Sequence, residues 1–345
     1  MNENQTFFRA TIERILADTV GKAELDHAEE RQLPEAFFSV LVENGITSML
    51  LPEDTGGIGA SLGDAAIILR AAGAAAAPGP LLETMLAQKL LASSGLGPAQ
   101  GLLSLVFINE APGLVGSRWS DAVLHDVPWS QAVEKILIVS RSGNEARLLV
   151  SDPAGWTTEP GMDAAGEPRD LLTAEAIDVT SANCGDYDSW LCAASMLRAA
   201  QILGSAEWSL RRSIEYASER KQFGREIGKF QAVQQMLAEL AGHILAAATI
   251  VEAAADDCHP TMIAAARSRL GDAADAAIAI SHQVHGALGF SQEYALNSRT
   301  RRLMAWRDDF GSVLYWRRVL ARQFTGLSRE AFWPAIADAG ATVPR

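Results

Sequence analysis

A chain of 345 residues, 48% hydrophobic and 21% charged, is long enough to bury two or three separate cores. Its net charge of −13 excludes the broad basic face that nucleic acid or an anionic membrane requires, while leaving room for a few local arginines to grip a phosphate. Cys184, Cys192 and Cys258 form no CxxC pair, so neither a disulfide framework nor a zinc site is expected, and their odd number suits a reducing compartment.

The polar, mixed-charge start MNENQTFFRATIERIL does not read as a signal peptide. No apolar run reaches the ~18 residues of a membrane span, and a cytoplasmic location is expected. Three zones follow, with boundaries at 1–100, 101–183 and 184–345. The first is rich in Ala, Leu and Glu. Helical spacing links Phe37, Val40 and Leu41, and again Ala65, Ile68, Leu69 and Ala72. Gly56-Gly57 and Pro78-Gly79-Pro80 punctuate these helices. In the second zone, LLSLVFI (102–108), KILIVS (135–140) and RLLVS (147–151) are short apolar runs bounded by turn residues. They predict a small β domain. The third zone returns to helix. Phe230, Val233, Leu237, Leu240, Ile244 and Val251 trace one buried stripe. A second helix is expected from about Thr261 to Val284, with alanines that allow tight helix packing.

The densest motif is Glu219-Arg220-Lys221-Gln222-Phe223-Gly224-Arg225-Glu226-Ile227-Gly228-Lys229-Phe230-Gln231, between two long helices. Arginine can hold a phosphate through paired hydrogen bonds, and the free N–H groups of the following helix add to that grip. The same residues also suit a solvated loop with cations set against a helix C-terminus.

The run ERKQFGREIGKFQAVQQMLAEL resembles the signature of acyl-CoA dehydrogenases. So do Gln283-Val284-His285-Gly286-Ala287-Leu288-Gly289-Phe290, continuing to Glu293-Tyr294, and the earlier Leu50-Leu51-Pro52-Glu53-Asp54-Thr55-Gly56-Gly57. The resemblance spans nearly the whole chain, in order. It implies a mainly α fold with an inserted β domain: an N-terminal helical domain, a middle β domain and a C-terminal four-helix bundle. It also implies FAD held across a subunit boundary. Arg220, Gln222, Phe223 and Gln231 would contact the adenine and pyrophosphate part of a partner's FAD, and Gln283 and Gly286 would do so from another subunit. Ala287 stands where the family usually has glycine, which adds a Cβ at a close approach.

The family reaction takes a proton from the α carbon and a hydride from the β carbon of an acyl-CoA, the hydride going to flavin N5. A carboxylate takes the proton, with burial raising its pKa. Here the usual glutamate position falls on Phe310, and the position used by other branches falls near Ala194. The nearest carboxylates are Asp308 and Asp309. Asp309 is the candidate base, although ~1 Å of misplacement can cost roughly a hundredfold in rate. Surface charge near Arg307 and Arg317 is the other reading of this pair.

The middle zone also departs from the family. Asn109-Glu110-Ala111-Pro112-Gly113 and the compressed VLHDVPWSQAVEKILIVS do not carry the family's flavin-ring contacts. This pattern resembles the shorter partner subunits of paired acyl-CoA dehydrogenases acting on steroid or dicarboxylic acyl-CoAs. The resemblance therefore implies one of two activities. One is dehydrogenation of an acyl-CoA, with this chain active only in a heteromer or able to act by itself. The other is a non-catalytic chain that completes the FAD site of a glutamate-bearing partner. A homo- or hetero-tetramer is implied, with an electron-transfer flavoprotein as acceptor.

Weaker signals are set aside. Gly59-Ala60-Ser61-Leu62-Gly63 matches GxSxG, but no strand is expected to run into Gly59. Gly57-x-Gly59 lacks the βαβ context of a dinucleotide site. Asp257-Cys258-His259-Pro260 reads as a helix start rather than a metal site, and no metal is expected. His285, beside a helix-ending glycine, reads as structural. Trp306, Trp316 and Trp333 read as core packing before an acyl-pocket lining.

Overall fold

The computed structural model describes residues 3–143 and 145–338. Met1 and Asn2, at the head of the polar start, and residues 339–345, at the end of the third expected zone, lie outside the described residues. So does the side chain of Asp257. The chain divides into two compact units, 1–69 with 77–194 and 70–76 with 195–345.

The first unit opens with α1 (Glu3–Thr19), α2 (Lys22–Glu29) and α3 (Glu35–Glu43), then most of α4 (Leu62–Ala75) and all of α5 (Leu81–Ser93). Helical spacing located the buried faces. Phe37, Leu41, Ala65, Ile68, Leu69 and Ala72 are buried, and Val40 is half-buried. The GxSxG segment is the start of α4. Ser61 Oγ accepts from the Asp64 N–H at 3.1 Å, and Asp64 Oδ2 accepts from the Ser61 N–H at 3.0 Å. This reciprocal cap satisfies N–H groups that the first turn leaves open. Helix α5 is buried nearly all round, and Thr84 Oγ1 accepts from the Leu103 N–H at 3.0 Å, tying it to the sheet.

Eight strands follow: β1 (Leu103–Ile108), β2 (Leu114–Val115), β3 (Arg118–Pro128), β4 (Lys135–Ser142), β5 (Glu145–Ser151), β6 (Thr157–Glu159), β7 (Arg169–Asp178) and β8 (Thr180–Asp186). They form sheets of order β1-β4-β5-β8 and β2-β3-β7-β6. Among the described residues, only β1 and β4 pair in parallel. Trp119, Leu124, Val127, Ile136, Ile138 and Leu149 belong to one shared core, where Trp119 and Trp156 meet edge to face at 5.8 Å. The Asn109–Gly113 loop is fixed by the Trp119 indole, which donates to the Pro112 carbonyl at 2.8 Å. Buried Asp170 accepts from Arg31 at 2.6 Å and from Ser130 Oγ at 2.6 Å, joining the helical and β parts of this unit.

The second unit holds most of α6 (Tyr187–Glu219), a short hairpin of β9 (Lys221–Gln222) and β10 (Arg225–Glu226), and α7 (Gln231–Asp257). It continues with α8 (Pro260–His285), α9 (Ala295–Trp306), α10 (Val313–Phe324) and α11 (Arg329–Asp338). The architecture is thus an N-terminal helical domain, a middle β-sheet domain and a C-terminal helical domain. Helix α8 packs against both α7 and α10. On α7, Leu240, Ile244 and Val251 are buried as expected, with Ala247 filling the skipped turn, while Val233 and Leu237 are half-buried. His259 is the N-cap of α8, its Nδ1 accepting from the Thr261 N–H at 3.3 Å, with Pro260 in the first turn.

The end of α4 crosses α6 at two glycines. A Cβ on Gly73 would stand 2.0 Å from the Gln201 carbonyl oxygen, and one on Gly204 would stand 1.9 Å from that of Arg70. Arg70 holds Glu207 at 2.5 Å and Glu252 at 2.8 Å. Arg299 donates to the Ala74 and Ala75 carbonyls at 3.2 and 3.0 Å, closing the C-terminus of α4.

Two expectations need correction. Trp306 and Trp316 are core residues, but Trp333 is 71% exposed. It lies on α11, a short helix with Pro334 inside it. Helix α7 is long and apolar enough over Gln231–Ala255 to cross a membrane, although only 28% of its most apolar stretch is buried. Between Gln231 and Val251 its one acidic or basic residue, histidine aside, is Glu239, so the apolar stretch is longer than the uninterrupted hydrophobic runs of the sequence.

Candidate functional site

The Arg220–Gln231 motif is an open turn. Helix α6 ends as the Arg220 N–H donates to the Tyr216 carbonyl at 2.9 Å. The chain then makes the β9–β10 hairpin, with Phe223 (φ +50°) and Gly224 (φ +81°) at its tip. Arg220, Gln222 and Gln231 are exposed, and the Phe223 ring is 92% exposed. Helix α7 starts at Gln231 with no side chain capping it; the Val233 N–H already donates to the Phe230 carbonyl at 3.0 Å, so the Gln231 and Ala232 N–H groups and the helix dipole are what the turn offers an anion. Lys229 is engaged by Glu226 at 2.6 Å, and the Arg225 guanidinium lies 4.2 Å from the Phe230 ring centre. Both readings of this motif are compatible with an exposed turn, and an anion grip would rest on Arg220, Gln222 and the helix start.

The Gln283–Phe290 motif lies one helical turn from Arg220 along α6, because the Tyr216 ring stacks on buried His285 at 4.4 Å. Gln283 and Gly286 are exposed. Gly286 has φ +60° and ψ −141°, a conformation that only glycine adopts without strain. Ala287 is exposed too. Behind this turn, His285 Nδ1 donates to the Ser281 carbonyl at 2.8 Å, and His282 Nε2 meets Thr300 Oγ1 at 2.9 Å. Burial pushes both imidazoles below their ordinary pKa. For His285 the Ser281 bond opposes that shift, and Arg212 and His282 reinforce it. His285 is a packing residue here, as expected.

The region expected to hold the base is organised differently. Ser195, next to Ala194 in α6, donates from Oγ to the Phe310 carbonyl at 2.7 Å. Phe310 and Ala194, the two alternative base positions, both carry carbon-only side chains. Two buried arginines dominate the region instead. Arg198, one turn beyond Ala194, donates to Gln201 Oε1 at 2.5 Å. Its guanidinium lies 5.4 Å from the Trp306 ring centre and 5.5 Å from that of Phe310. Its Nε is 3.2 Å from Asp309 Oδ2. Arg267, on α8, donates from Nη2 to the carbonyls of Arg307, Asp309 and Gly311 at 3.0, 2.6 and 3.2 Å. Burial pushes Arg267 down to about 10. Asp309 opposes this and Arg198 adds to it, so Arg267 stays charged at neutral pH. Phe310 itself takes φ +53°, a conformation this clamp maintains against steric cost. Asp308 faces outward and pairs with Arg307 at 3.1 Å, and Arg317 pairs with Asp272 at 2.6 Å. The surface-charge reading therefore holds for Asp308.

Arg198, Arg267, Gln201 and Ser195 were missed in the sequence. The available signal was a charge inside an otherwise small and apolar helical run: LCAASMLRAAQILGSA around Arg198 and IAAARSRLGDAA around Arg267.

The two halves of the helical frame match separate family models. Residues 2–96 match the acyl-CoA dehydrogenase N-terminal domain, and residues 193–323 match the C-terminal domain. Acyl-CoA dehydrogenase IpdE2 of Mycobacterium tuberculosis is 32% identical over 303 residues, covering 86% of this chain and 89% of that protein. Among solved structures, the ChsE4-ChsE5 complex from Mycobacterium tuberculosis aligns with a TM-score of 0.85 at 19% identity, over 95% of this chain and 99% of that one. The Tcur3481-Tcur3483 steroid ACAD aligns with a TM-score of 0.83 at 22% identity, over 99% of both chains. The ordered motifs, the helix–β–helix architecture and these full-length matches agree: the chain belongs to the acyl-CoA dehydrogenase family of oxidoreductases.

Proposed function

We propose that this chain is the base-lacking partner subunit of a heteromeric acyl-CoA dehydrogenase. It would complete the FAD site of a sister chain that carries the glutamate. The observation that carries this reading is the Arg198–Asp309 ion pair, with the surrounding loop clamped by Arg267. A general base must be free to accept a proton from substrate. Protonating Asp309 would take a counter-charge from buried Arg198, which is destabilising. Phe310 and Ala194 have no proton-accepting atom in their side chains. Asp309 is therefore assigned as a counter-ion, not as the base.

The residues of the open turn suit FAD. Arg220 and Gln222, with the uncapped start of α7 at Gln231, offer charge and N–H donors to a diphosphate. Phe223 offers an exposed ring face to a planar base. Gln283 and Gly286 present an amide and a bare backbone at the same end of the domain. When bound, FAD supplies the hydride acceptor, and these residues supply its placement. Three domains, 1–100, 101–183 and 184–345, a cytoplasmic location and a hetero-tetramer accompany this reading. The substrate class proposed is a steroid or dicarboxylic acyl-CoA, with an electron-transfer flavoprotein as acceptor.

The test is to purify the chain alone and co-expressed with a glutamate-bearing sister chain, then measure flavin content and acyl-CoA-dependent bleaching. The expected outcome is bleaching by the pair and none by the lone chain. Bleaching by the lone chain overturns the proposal.

A further inference from the structure

The core between the two sheets of the β domain opens at one end into a cleft. Sheet β2-β3-β7-β6 stops at the pairing of Arg118 with Asp178, and the Val179 N–H donates to the Ser117 carbonyl at 2.8 Å to close that edge. Beside this edge lies a cleft of about 740 Å3. Ser117 and Val179 line it from one side, and Glu145, Arg147, Ser181 and Asn183 of β5 and β8 line it from the other. Its volume is that of a small-molecule site, and all its lining residues belong to the first unit.

The cleft begins where the core face of the other sheet changes from carbon to polar groups. Side chains two apart on a strand share a face. Across the sheet, Val106, Ile138 and Leu149 stand in one register, and all three belong to the core between the sheets. The next register on that face is Ile108, Ser140, Arg147 and Asn183. Arg147 thus takes a core-facing place. It is exposed, and its guanidinium has no partner among the described residues. The charges around it are engaged. Arg118 pairs with Asp178 at 2.9 Å, Arg141 pairs with Asp188, and Glu145 accepts from Asn183 at 2.8 Å. The hydroxyls of Ser117, Thr180 and Ser181 also line the cleft with no partner among the described residues. A charge that breaks the pattern folding its own strand is expected at a functional position.

We propose that this cleft binds a small phosphorylated polyol, of the size of a hexose phosphate. The Arg147 fork meets the phosphate with paired, charge-assisted hydrogen bonds. Ser117, Thr180 and Ser181 supply hydroxyls that donate to phosphate oxygens and exchange hydrogen bonds with the polyol. Glu145 decides between a bare anion and a polyol. Its carboxylate repels a bare anion, whereas a polyol has O–H groups to donate to it. No aromatic side chain is among the described residues lining the cleft, so a nucleobase has no ring to stack on. The proposal is independent of the flavin site and of the missing base, and its test reads binding rather than turnover.

The experiment is equilibrium dialysis of the full chain against labelled glucose 6-phosphate, with inorganic phosphate, glucose and AMP as competitors. Saturable binding is expected, with glucose 6-phosphate held roughly 10-fold or more tighter than any competitor. Arg147→Gln should weaken it by roughly 10- to 100-fold at an unchanged melting temperature. Arg118→Gln, at an arginine already paired with Asp178, should leave it unchanged. Glu145→Gln should weaken glucose 6-phosphate without weakening inorganic phosphate. The proposal is overturned by the absence of saturable binding up to about 10 mM, or by equal affinity in wild type and Arg147→Gln. Inorganic phosphate or AMP competing as well as glucose 6-phosphate also overturns it, the first leaving an adventitious ion only.

Discussion

The turn after α6 carries its own arginines, whereas the loop before α10 is held by arginines of two helices, and the two are built in opposite ways. In the turn, Arg220 and its neighbours stand in solvent around an uncapped helix start. Around the loop, Arg198 of α6 and Arg267 of α8 are buried: Arg198 donates to Gln201 and pairs with the Asp309 carboxylate, and Arg267 Nη2 donates to three carbonyls. An arginine in water keeps its hydration and can exchange it for a ligand. A buried arginine has lost that hydration and depends on the partners it already has. The contrast separates an exposed cationic turn from a buried, internally paired cluster, and under the proposed function the first serves a neighbour while the second fills the place of a catalytic carboxylate.

The largest effect is expected where the closed cluster is broken. Asp309→Ala removes the carboxylate facing two buried cations and should cost about 3–5 kcal/mol, read as a lower urea midpoint at unchanged slope. The double variant Arg198→Met/Asp309→Leu should recover much of that loss, because it removes both charges together. If Asp309→Asn instead keeps the wild-type midpoint while abolishing turnover in the assembled enzyme, Asp309 is a base and the counter-ion assignment fails.

The open turn should behave in reverse. Arg220→Gln should leave the urea midpoint within about 0.5 kcal/mol of wild type. In the assembled protein it should weaken flavin retention by roughly 10- to 100-fold, the worth of a charged hydrogen bond of about 1.5–3 kcal/mol. Flavin fluorescence on dilution measures this. A stability loss without a flavin effect would place Arg220 among the structural arginines and erase the contrast.

Glycines sharpen the same division. Gly204→Ala must push a methyl group into the Arg70 carbonyl and should cost about 1–3 kcal/mol. Gly242→Ala meets open space and should stabilise the isolated chain by up to about 1 kcal/mol. Equal effects from the two substitutions in thermal melts would show that the close crossing of α4 and α6 is not there.

The parts of this fold legible in the sequence are those where one periodicity dominates. Strands β1, β4 and β5 are continuous apolar runs because they sit inside a covered sheet. Helix α8 begins and ends within a residue of its expected bounds, since Pro260 and Gly286 mark both ends. Strands β3 and β8 were not legible. β3 spreads its buried residues irregularly through RWSDAVLHDVP and is interrupted between Leu124 and Val127. β8, TSANCGD, has only Cys184 fully buried and reads as loop. The site divided along the same line. Surface motifs are strings of contiguous residues and could be read directly. The Arg198–Asp309–Arg267 cluster joins three distant segments, and tertiary packing alone brings them together.

The smallest expected effect concerns the two histidines behind the Gly286 turn. Burial lowers the pKa of both His282 and His285 in the folded chain. Below the ordinary histidine value of about 6.5, the unfolded chain therefore binds protons that the folded chain resists. Their contribution to stability is complete above that value and is lost as pH falls from it toward the lower folded values. His285→Phe keeps a ring against Tyr216 and removes the titrating group. It should flatten the fall in urea midpoint between about pH 6.5 and 5 relative to wild type. An identical acid slope in wild type and His285→Phe would mean that His285 titrates as it does unfolded. The packing behind the Gly286 turn would then have to be looser than the stacked Tyr216–His285 pair indicates.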